Sequence, residues 1–567
     1  MSHRSRKTPG VVKAKLPCGG ADTVAESRRG FLVLGGAAVV ATVVDACSNA
    51  VTGGGTGGKP ATGGTGSGGS RSSGGANGGG GAVGSGGGAE TGGTTAKGGT
   101  MGSGGAPGSG GAPGNGGTNT KDAGAGSGGA PGSGGAPGND AGPGKGGAPG
   151  SGGAPGSGGA GAGGSGGGID SGGGGGTVKW PAENTGGSCS VAAIPKVSNA
   201  KLPDPFKFLS GKRISTKEEW TCLRAELSAA LQAGVYGPKM PKPDSVTATY
   251  SGGKLNISMT VGSNKGALSI SVSGGGTAAS PKPCVIACGA SSLPLSGFAS
   301  IAMDPNSIAS ESNLSGLVKT LYGNACAKSG ALIGWAWGCS RIIDGLELCP
   351  EAGVDTKKLM VTGCSRYGKG ALTMGAFDER VALTLMQEGG SGGSALWRVS
   401  TKEFSLGQKI QECGEISGEA KWQGSDFPGF CGNNGANIAT LPCDQHFAVA
   451  LCAPRAVLLI ENDIDWLGPV AAYGGGVAGR KVFEALGIQD RCGVTLRGSH
   501  THCSFPSNQQ VDLDAFLNRF IKGQTSAKTD IMVFQATNTK LGTFKEADWI
   551  DWEVPTLTGN LPFDPFA

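Results

Sequence analysis

Ser365 lies in Val361-Thr-Gly-Cys-Ser-Arg-Tyr-Gly-Lys-Gly-Ala371, and Ser340 lies in Trp335-Ala-Trp-Gly-Cys-Ser-Arg-Ile-Ile-Asp-Gly345. The tetrapeptide Gly-Cys-Ser-Arg therefore occurs twice. A serine hydroxyl is a weak nucleophile at neutral pH and needs an adjacent base, most often histidine. The chain has four histidines: His3, His446, His500 and His502. Serine, histidine and a carboxylate that fixes the imidazole together perform acyl transfer. At most one of the two serines should carry that chemistry, and the elements around each decide which.

The nucleophile of an α/β-hydrolase sits on a sharp turn between a buried strand and a helix, flanked by small residues. Lys357-Lys-Leu-Met-Val-Thr362 reads as a short buried strand led in by polar residues. Tyr367 to Phe377 is small and helix-compatible, so Ser365 has the required context. Around Ser340, the apolar Leu332, Trp335, Cys339, Ile342 and Ile343 recur at three and four residues. That spacing predicts one amphipathic helix, and Ser340 is given no role. One departure stands out. The usual elbow is G-x-S-x-G, whereas position 367 is Tyr and the next glycine is Gly368.

His500 and His502 follow Cys492-Gly-Val-Thr-Leu-Arg497, which reads as the last strand of the domain. A histidine on the loop after a late strand fits the α/β-hydrolase chain order. Cys364 directly precedes Ser365, and Cys503 directly follows His502. A Cys364–Cys503 disulfide would tie the serine turn to the histidine loop, its Cα atoms about 4.4–6.8 Å apart. That favours His502, with His500 only two residues away. His446, after Pro442-Cys-Asp-Gln, opens a predicted helix and reads as structural, with Asp444 as its cap. Two places compete for the acid. Glu461, Asp463 and Asp465 follow the predicted strand Val457–Ile460, the usual location. Glu388 follows Val381–Met386, one strand earlier, and opens into Gly389-Gly-Ser-Gly-Gly393.

The rest of the chain sets the organisation. Gly accounts for 115 of 567 residues. From Thr52 to Thr177 the chain is almost wholly Gly, Ser, Ala, Pro and Thr, too poor in apolar side chains to offset the entropy of ordering. Residues 48–177 read as a disordered tether. Gly does not recur at every third position, which argues against a collagen helix. Residues 1–47 read as a twin-arginine-type signal, with Arg28 and Arg29 ahead of an apolar run from Phe31 to Val44. That run is too short for a permanent span. It ends at Ala46-Cys47, which resembles a lipoprotein processing site, although Asp45 departs from it. Cys47 would then carry a lipid, with plain cleavage and release as the alternative. The destination is outside the cell or on its surface. From Val178 to Ala567 the composition is that of a globular domain.

Net charge is +6, without a basic run, which gives little support for nucleic-acid binding. Fourteen of the 16 cysteines follow the tether, a number that fits an oxidising compartment. No CxxC pair stands at zinc-finger spacing, so a structural zinc is not expected.

Gly363-Cys-Ser-Arg-Tyr-Gly-Lys-Gly-Ala371 resembles the G-C-S-R-x-G-K-G-A signature of glucuronoyl esterases, carbohydrate esterase family 15. Leu202–Phe208, Trp220–Glu226, Gly389–Trp397, Glu461–Pro469 and His502–Gln509 are similar to further patterns of that family. The resemblance covers nearly all of the globular part. It implies an α/β-hydrolase fold, a three-layer αβα sandwich around a mostly parallel twisted sheet. It implies Ser365 as nucleophile, His502 as base and Glu388 as acid, with Asp463 and Asp465 as possible helpers and Arg366 at the oxyanion. Lys369, Gln411, Glu419 and Trp466 would contact the uronic acid. Gln411 and Glu419 would lie two helical turns apart if their stretch is helical. The resemblance also implies disulfides Cys364–Cys503 and Cys189–Cys222. The implied reaction cleaves (4-O-methyl-)glucuronoyl esters in glucuronoxylan–lignin material, with no metal or cofactor, by a monomer. An acetyl xylan esterase on the same fold and a non-catalytic carbohydrate-binding protein are the alternatives.

Overall fold

The structure is a computed structural model, and it describes residues 181–538 and 542–567. The segments read as a signal and a tether, and Cys47, lie outside the described residues. Among those residues the strands form two sheets. The smaller is an antiparallel meander of β1 (Ser245–Ser251), β2 (Lys254–Val261) and β3 (Asn264–Ser271). Its middle strand alternates: Leu255, Ile257 and Met259 are buried, and their neighbours Asn256 and Ser258 are exposed. One buried and one solvated face is the ordinary state of an antiparallel sheet.

The larger sheet contains β4 (Lys282–Cys288), β5 (Ala299–Met303), β6 (Val354–Cys364), β7 (Val381–Gln387), β8 (Ala456–Glu461), β9 (Cys492–Arg497) and β10 (Met532–Gln535). Its order is β10-β9-β8-β7-β6-β4-β5, and every neighbouring pair is parallel. The central strands are buried on both faces, which is why they read as unbroken apolar runs. Leu359, Val361, Val457 and Leu459 join one hydrophobic cluster with the helices Ala331–Leu348, Arg366–Phe377 and Pro469–Leu486. Met360, Leu458 and Ile460, which alternate with them along the strands, join another with the helix Ser507–Phe516. Adjacent side chains on a strand point to opposite faces. The result is a three-layer α/β-hydrolase sandwich.

Two readings of the elements need correction. Cys492–Arg497 is not the last strand, because β10 adds to its outer edge. Only four residues long and half-buried, β10 lacks the apolar run that marks a central strand. The helix carrying Ser340 is not amphipathic. Every residue from Ala331 to Leu346 is buried, since it packs between the two sheets' cores. Ser340 Oγ donates to the Ala336 carbonyl and accepts from Lys239 Nζ.

Among the described residues three disulfides are present, Cys189–Cys222, Cys364–Cys503 and Cys413–Cys431. The other eight cysteines of the described residues are unpaired and buried. Burial pushes the Cys284 thiol up to about 12 and raises those of Cys288, Cys339, Cys443, Cys452 and Cys492 as well. No helix of the described residues is long and apolar enough to cross a membrane.

Candidate active site

Because the sheet is parallel, its strand ends gather the loops of one edge, where open α/β sheets build their sites. Ser365 follows β6, Glu388 follows β7, Asn462 follows β8, and His500 and His502 follow β9.

Ser365 stands between the end of β6 at Cys364 and a helix that begins at Arg366, with φ 61° and ψ −125°. Side chains rarely tolerate such a conformation, so the surroundings must impose it. The Ser365 N–H donates to the Gln387 carbonyl at 3.0 Å, and its own carbonyl accepts from the Lys369 N–H at 3.0 Å. A Cβ on Gly363 would come within 2.3 Å of the Tyr367 carbonyl oxygen. One on Gly368 would come within 2.3 Å of the Gln387 carbonyl oxygen. The second glycine thus falls three residues after the serine because the helix presses on β7 there.

Glu388 is 1 % exposed and also takes a positive φ, 46°. Its N–H donates to the Ile460 carbonyl at 2.7 Å. Its Oε2 accepts from His502 Nδ1 at 2.7 Å and from the Cys503 N–H at 2.9 Å. With Nδ1 so engaged, Nε2 is the ring nitrogen left to exchange a proton. The Cys364–Cys503 bond holds its two Cα atoms 5.8 Å apart, and a His502 ring nitrogen lies within 4.8 Å of both sulfurs. The serine turn and the histidine loop are therefore stapled together. The Trp466 indole packs edge-on to His502 at 4.8 Å and is 37 % exposed.

The other histidines and acids have their hydrogen bonds elsewhere, although His500 Nδ1 also comes within 3.7 Å of Glu388 Oε1. The two nitrogens of His500 meet the Arg497 carbonyl at 2.9 Å and Asn462 Nδ2 at 3.1 Å. His446 is buried against the Pro203 carbonyl, and burial pulls its imidazole down to about 4. Asp444 does not cap the His446 helix. Its carboxylate accepts from the N–H groups of Trp397 and Arg398, which start another helix, and from the Arg398 guanidinium. Asp463 Oδ2 accepts from the Thr537 N–H, the Thr537 hydroxyl and the Asn538 N–H. Asp465 accepts from Asn538 Nδ2. Both aspartates anchor the C-terminal segment, so neither reads as a helper of His502. Glu461 is fully buried, with Ser394 Oγ donating to it at 2.6 Å. Burial pushes its carboxyl up to about 8, with Glu388 adding to the rise and Lys369 opposing it.

Lys369 sits one turn into the helix after Ser365. It is 3 % exposed and donates to the Gly389 carbonyl at 2.7 Å. Burial pulls its ammonium down to about 8, against the pull of Glu419 and Glu461. Gln411 Nε2 donates to Glu419 Oε2 at 3.2 Å. The two are not on a common helix, however. The helix runs only from Cys413 to Glu419, capped by the Glu412 carboxylate, and Gln411 lies before it with its N–H on the Trp466 carbonyl. The Cys413–Cys431 disulfide fixes this short helix.

Sequence reasoning missed three residues here. Gln387 links two loops through Ser292 and the Ser504 carbonyl. Trp422 offers its ring to both Arg366 and Lys369. Glu311 pairs with Arg366. None of them carries a spacing signal: Glu311 and Trp422 reach the site from distant segments, and Gln387, next to Glu388, ends an apolar strand without any motif of its own. Among the described residues, two groups of potential metal ligands lie close enough to share an ion, and each contains a disulfide rather than free thiolates.

A family profile described as "Glucuronyl esterase, fungi" matches residues 257–487. The 4-O-methyl-glucuronoyl methylesterase of Hypocrea jecorina is 39% identical over 380 residues, 66% of this chain and 80% of that protein. The enzyme of the same name from Cerrena unicolor is 41% identical over 389 residues, with 66% and 80% covered. The solved catalytic domain of the Hypocrea jecorina glucuronoyl esterase superposes with a TM-score of 0.60 at 40% identity, covering 65% of this chain and 99% of that one. A mutant glucuronoyl esterase of Sporotrichum thermophile in complex with methyl 4-O-methyl-β-D-glucopyranuronate gives a TM-score of 0.60 at 36% identity, covering 65% and 100%.

Proposed function

The chain belongs to the glucuronoyl esterases, and from that premise we propose that Ser365, His502 and Glu388 hydrolyse its glucuronoyl ester substrate. His502 Nε2 takes the hydroxyl proton as Ser365 Oγ attacks the ester carbonyl. Glu388 holds the imidazole by Nδ1 and offsets the positive charge that forms on it. The oxyanion gathers at Arg366, beside the N–H groups of the helix's first turn, which have no intrahelical acceptor. Losing one oxyanion donor typically costs on the order of 10²–10³ in rate. His502 returns the proton to the departing alcohol. Water, activated by the same imidazole, then attacks the acyl-serine and frees the uronic acid.

Lys369, Gln411, Glu419 and Trp466 bind the sugar. The ammonium and the amide–carboxylate pair suit ring hydroxyls, and the indole suits the apolar face of the ring. The natural ester joins glucuronoxylan to lignin, and the working domain reaches it outside the cell, either released or held by a lipidated Cys47 through the Gly-rich tether.

The observation that carries this reading is the 2.7 Å contact from His502 Nδ1 to a buried Glu388, on a loop stapled to the Ser365 turn. The test is Ser365→Ala assayed on the methyl ester of 4-O-methyl-glucuronate. Hydrolysis should vanish while circular dichroism and melting stay as in the parent. Undiminished turnover would remove the nucleophile assignment.

A further inference from the structure

Glu311 lies in the loop between the turn Pro305–Ile308 and the helix Leu317–Tyr322. Its main chain is fixed at both ends: the N–H donates to Asn306 Oδ1 at 3.1 Å, and the carbonyl accepts from the Lys421 N–H at 2.7 Å. Its carboxylate is divided between two partners. Oε1 accepts from Arg366 Nη1 at 3.0 Å, and Oε2 accepts from Trp422 Nε1 at 2.5 Å. Trp422 is 2 % exposed. Its ring lies 5.7 Å from the Arg366 guanidinium and 5.3 Å from the Lys369 ammonium. One carboxylate thus fixes the cation beside Ser365 and the aromatic plate on which two site cations rest.

A free arginine side chain spreads over many rotamers, and a half-exposed one would have to be ordered anew at each turnover. Donors aimed in advance at developing charge need no such reorganisation. A guanidinium carries five N–H donors, so a bond to Glu311 leaves others for the oxyanion. We propose that Glu311 is a positioning residue for the ester cleavage, holding Arg366 directly and Trp422 as its backing plate. This rests on the reading of Arg366 as an oxyanion residue.

The test is steady-state kinetics on the methyl ester of 4-O-methyl-glucuronate, with Glu311→Ala, Glu311→Gln, Arg366→Ala and the double variant Glu311→Gln/Arg366→Ala. Small displacements of a catalytic group cost up to about 10²-fold. Glu311→Ala should lower kcat by about 10- to 100-fold with KM changed less than about 3-fold. Glu311→Gln should lose less, because its amide oxygen can still accept one of the two bonds. It also serves if the alanine variant folds poorly. In the Arg366→Ala background, Glu311→Gln should cost less than about 2-fold, the mark of two residues acting as one. A slow Arg366→Ala beside a full-speed Glu311→Ala would overturn the positioning role alone. So would an equal loss from Glu311→Gln in both backgrounds. An Arg366→Ala enzyme with parental kcat would remove the oxyanion reading and this proposal with it.

Discussion

The main-chain N–H of Ser365 donates to the carbonyl of Gln387, the residue immediately before Glu388, at 3.0 Å. The serine turn and the acid are therefore parts of one hydrogen-bonded frame across β6 and β7. The side chain of Gln387 extends that frame to the loop at Ser292 and to the histidine loop at the Ser504 carbonyl.

This geometry separates the competing acids. Glu388→Gln should lower kcat by about 10³–10⁴, because the imidazole loses the group that fixes its tautomer and supports its charge. Asp463→Asn should leave kcat within about 3-fold and instead lower the melting temperature, since three donors from Thr537 and Asn538 converge on Asp463 Oδ2. Measuring kcat and melting for both variants decides the matter. Reversed effects would move the acid to the β8 loop.

Replacing Cys364 and Cys503 together by serine should have two effects. Their bond closes a separation of 139 residues, and disulfides of that kind contribute about 2–4 kcal/mol. A lower melting temperature should come with a fall in kcat, because His502 precedes the freed residue. Parental values of both quantities would show that the link is idle.

Gly368→Ala tests the spacing of the elbow. An added methyl would meet the Gln387 carbonyl oxygen at 2.3 Å, and a carbonyl in a central strand cannot step aside. Overpacking of this kind costs about 1–3 kcal/mol. Denaturant melts should register it, together with at least a 10-fold drop in kcat. A fully active, equally stable variant would count against the pressing of helix on strand described here.

His446 supplies a pH dependence unrelated to catalysis. Burial lowers its pKa to about 4 in the folded domain, against 6.5 unperturbed. Between those values the unfolded chain binds more protons, so stability falls as pH drops from about 6.5 towards 4. Below that window the loss approaches an order of 3 kcal/mol. His446→Gln should flatten the slope of melting temperature against pH in this interval. An unchanged slope would assign the acid sensitivity to other groups.

The strand–turn–helix at Ser365 and the central strands were legible because a strand buried on both faces must be apolar throughout. The choice of acid was not legible from residue chemistry. Glu388 and Asp463 both follow apolar strands and differ in the distant segments that reach them, the β9 loop for Glu388 and the segment after β10 for Asp463. Whether Gln411 shares a helix with Glu419 was left open, because nothing in its neighbourhood shows that the Glu412 carboxylate caps the next turn. Glu311 left no local trace at all. It acts through Arg366 and Trp422, 55 and 111 residues away.

The eight buried unpaired thiols have a consequence for the fate of a heated molecule. In the folded domain they are shut away from oxidant, and those with raised pKa values hold little of the thiolate that reacts. Unfolding exposes all of them at once beside three native bridges, and scrambled or intermolecular links can then form faster than the chain returns. In air, thermal inactivation of this domain should therefore run in one direction, with a working lifetime set by how seldom it opens.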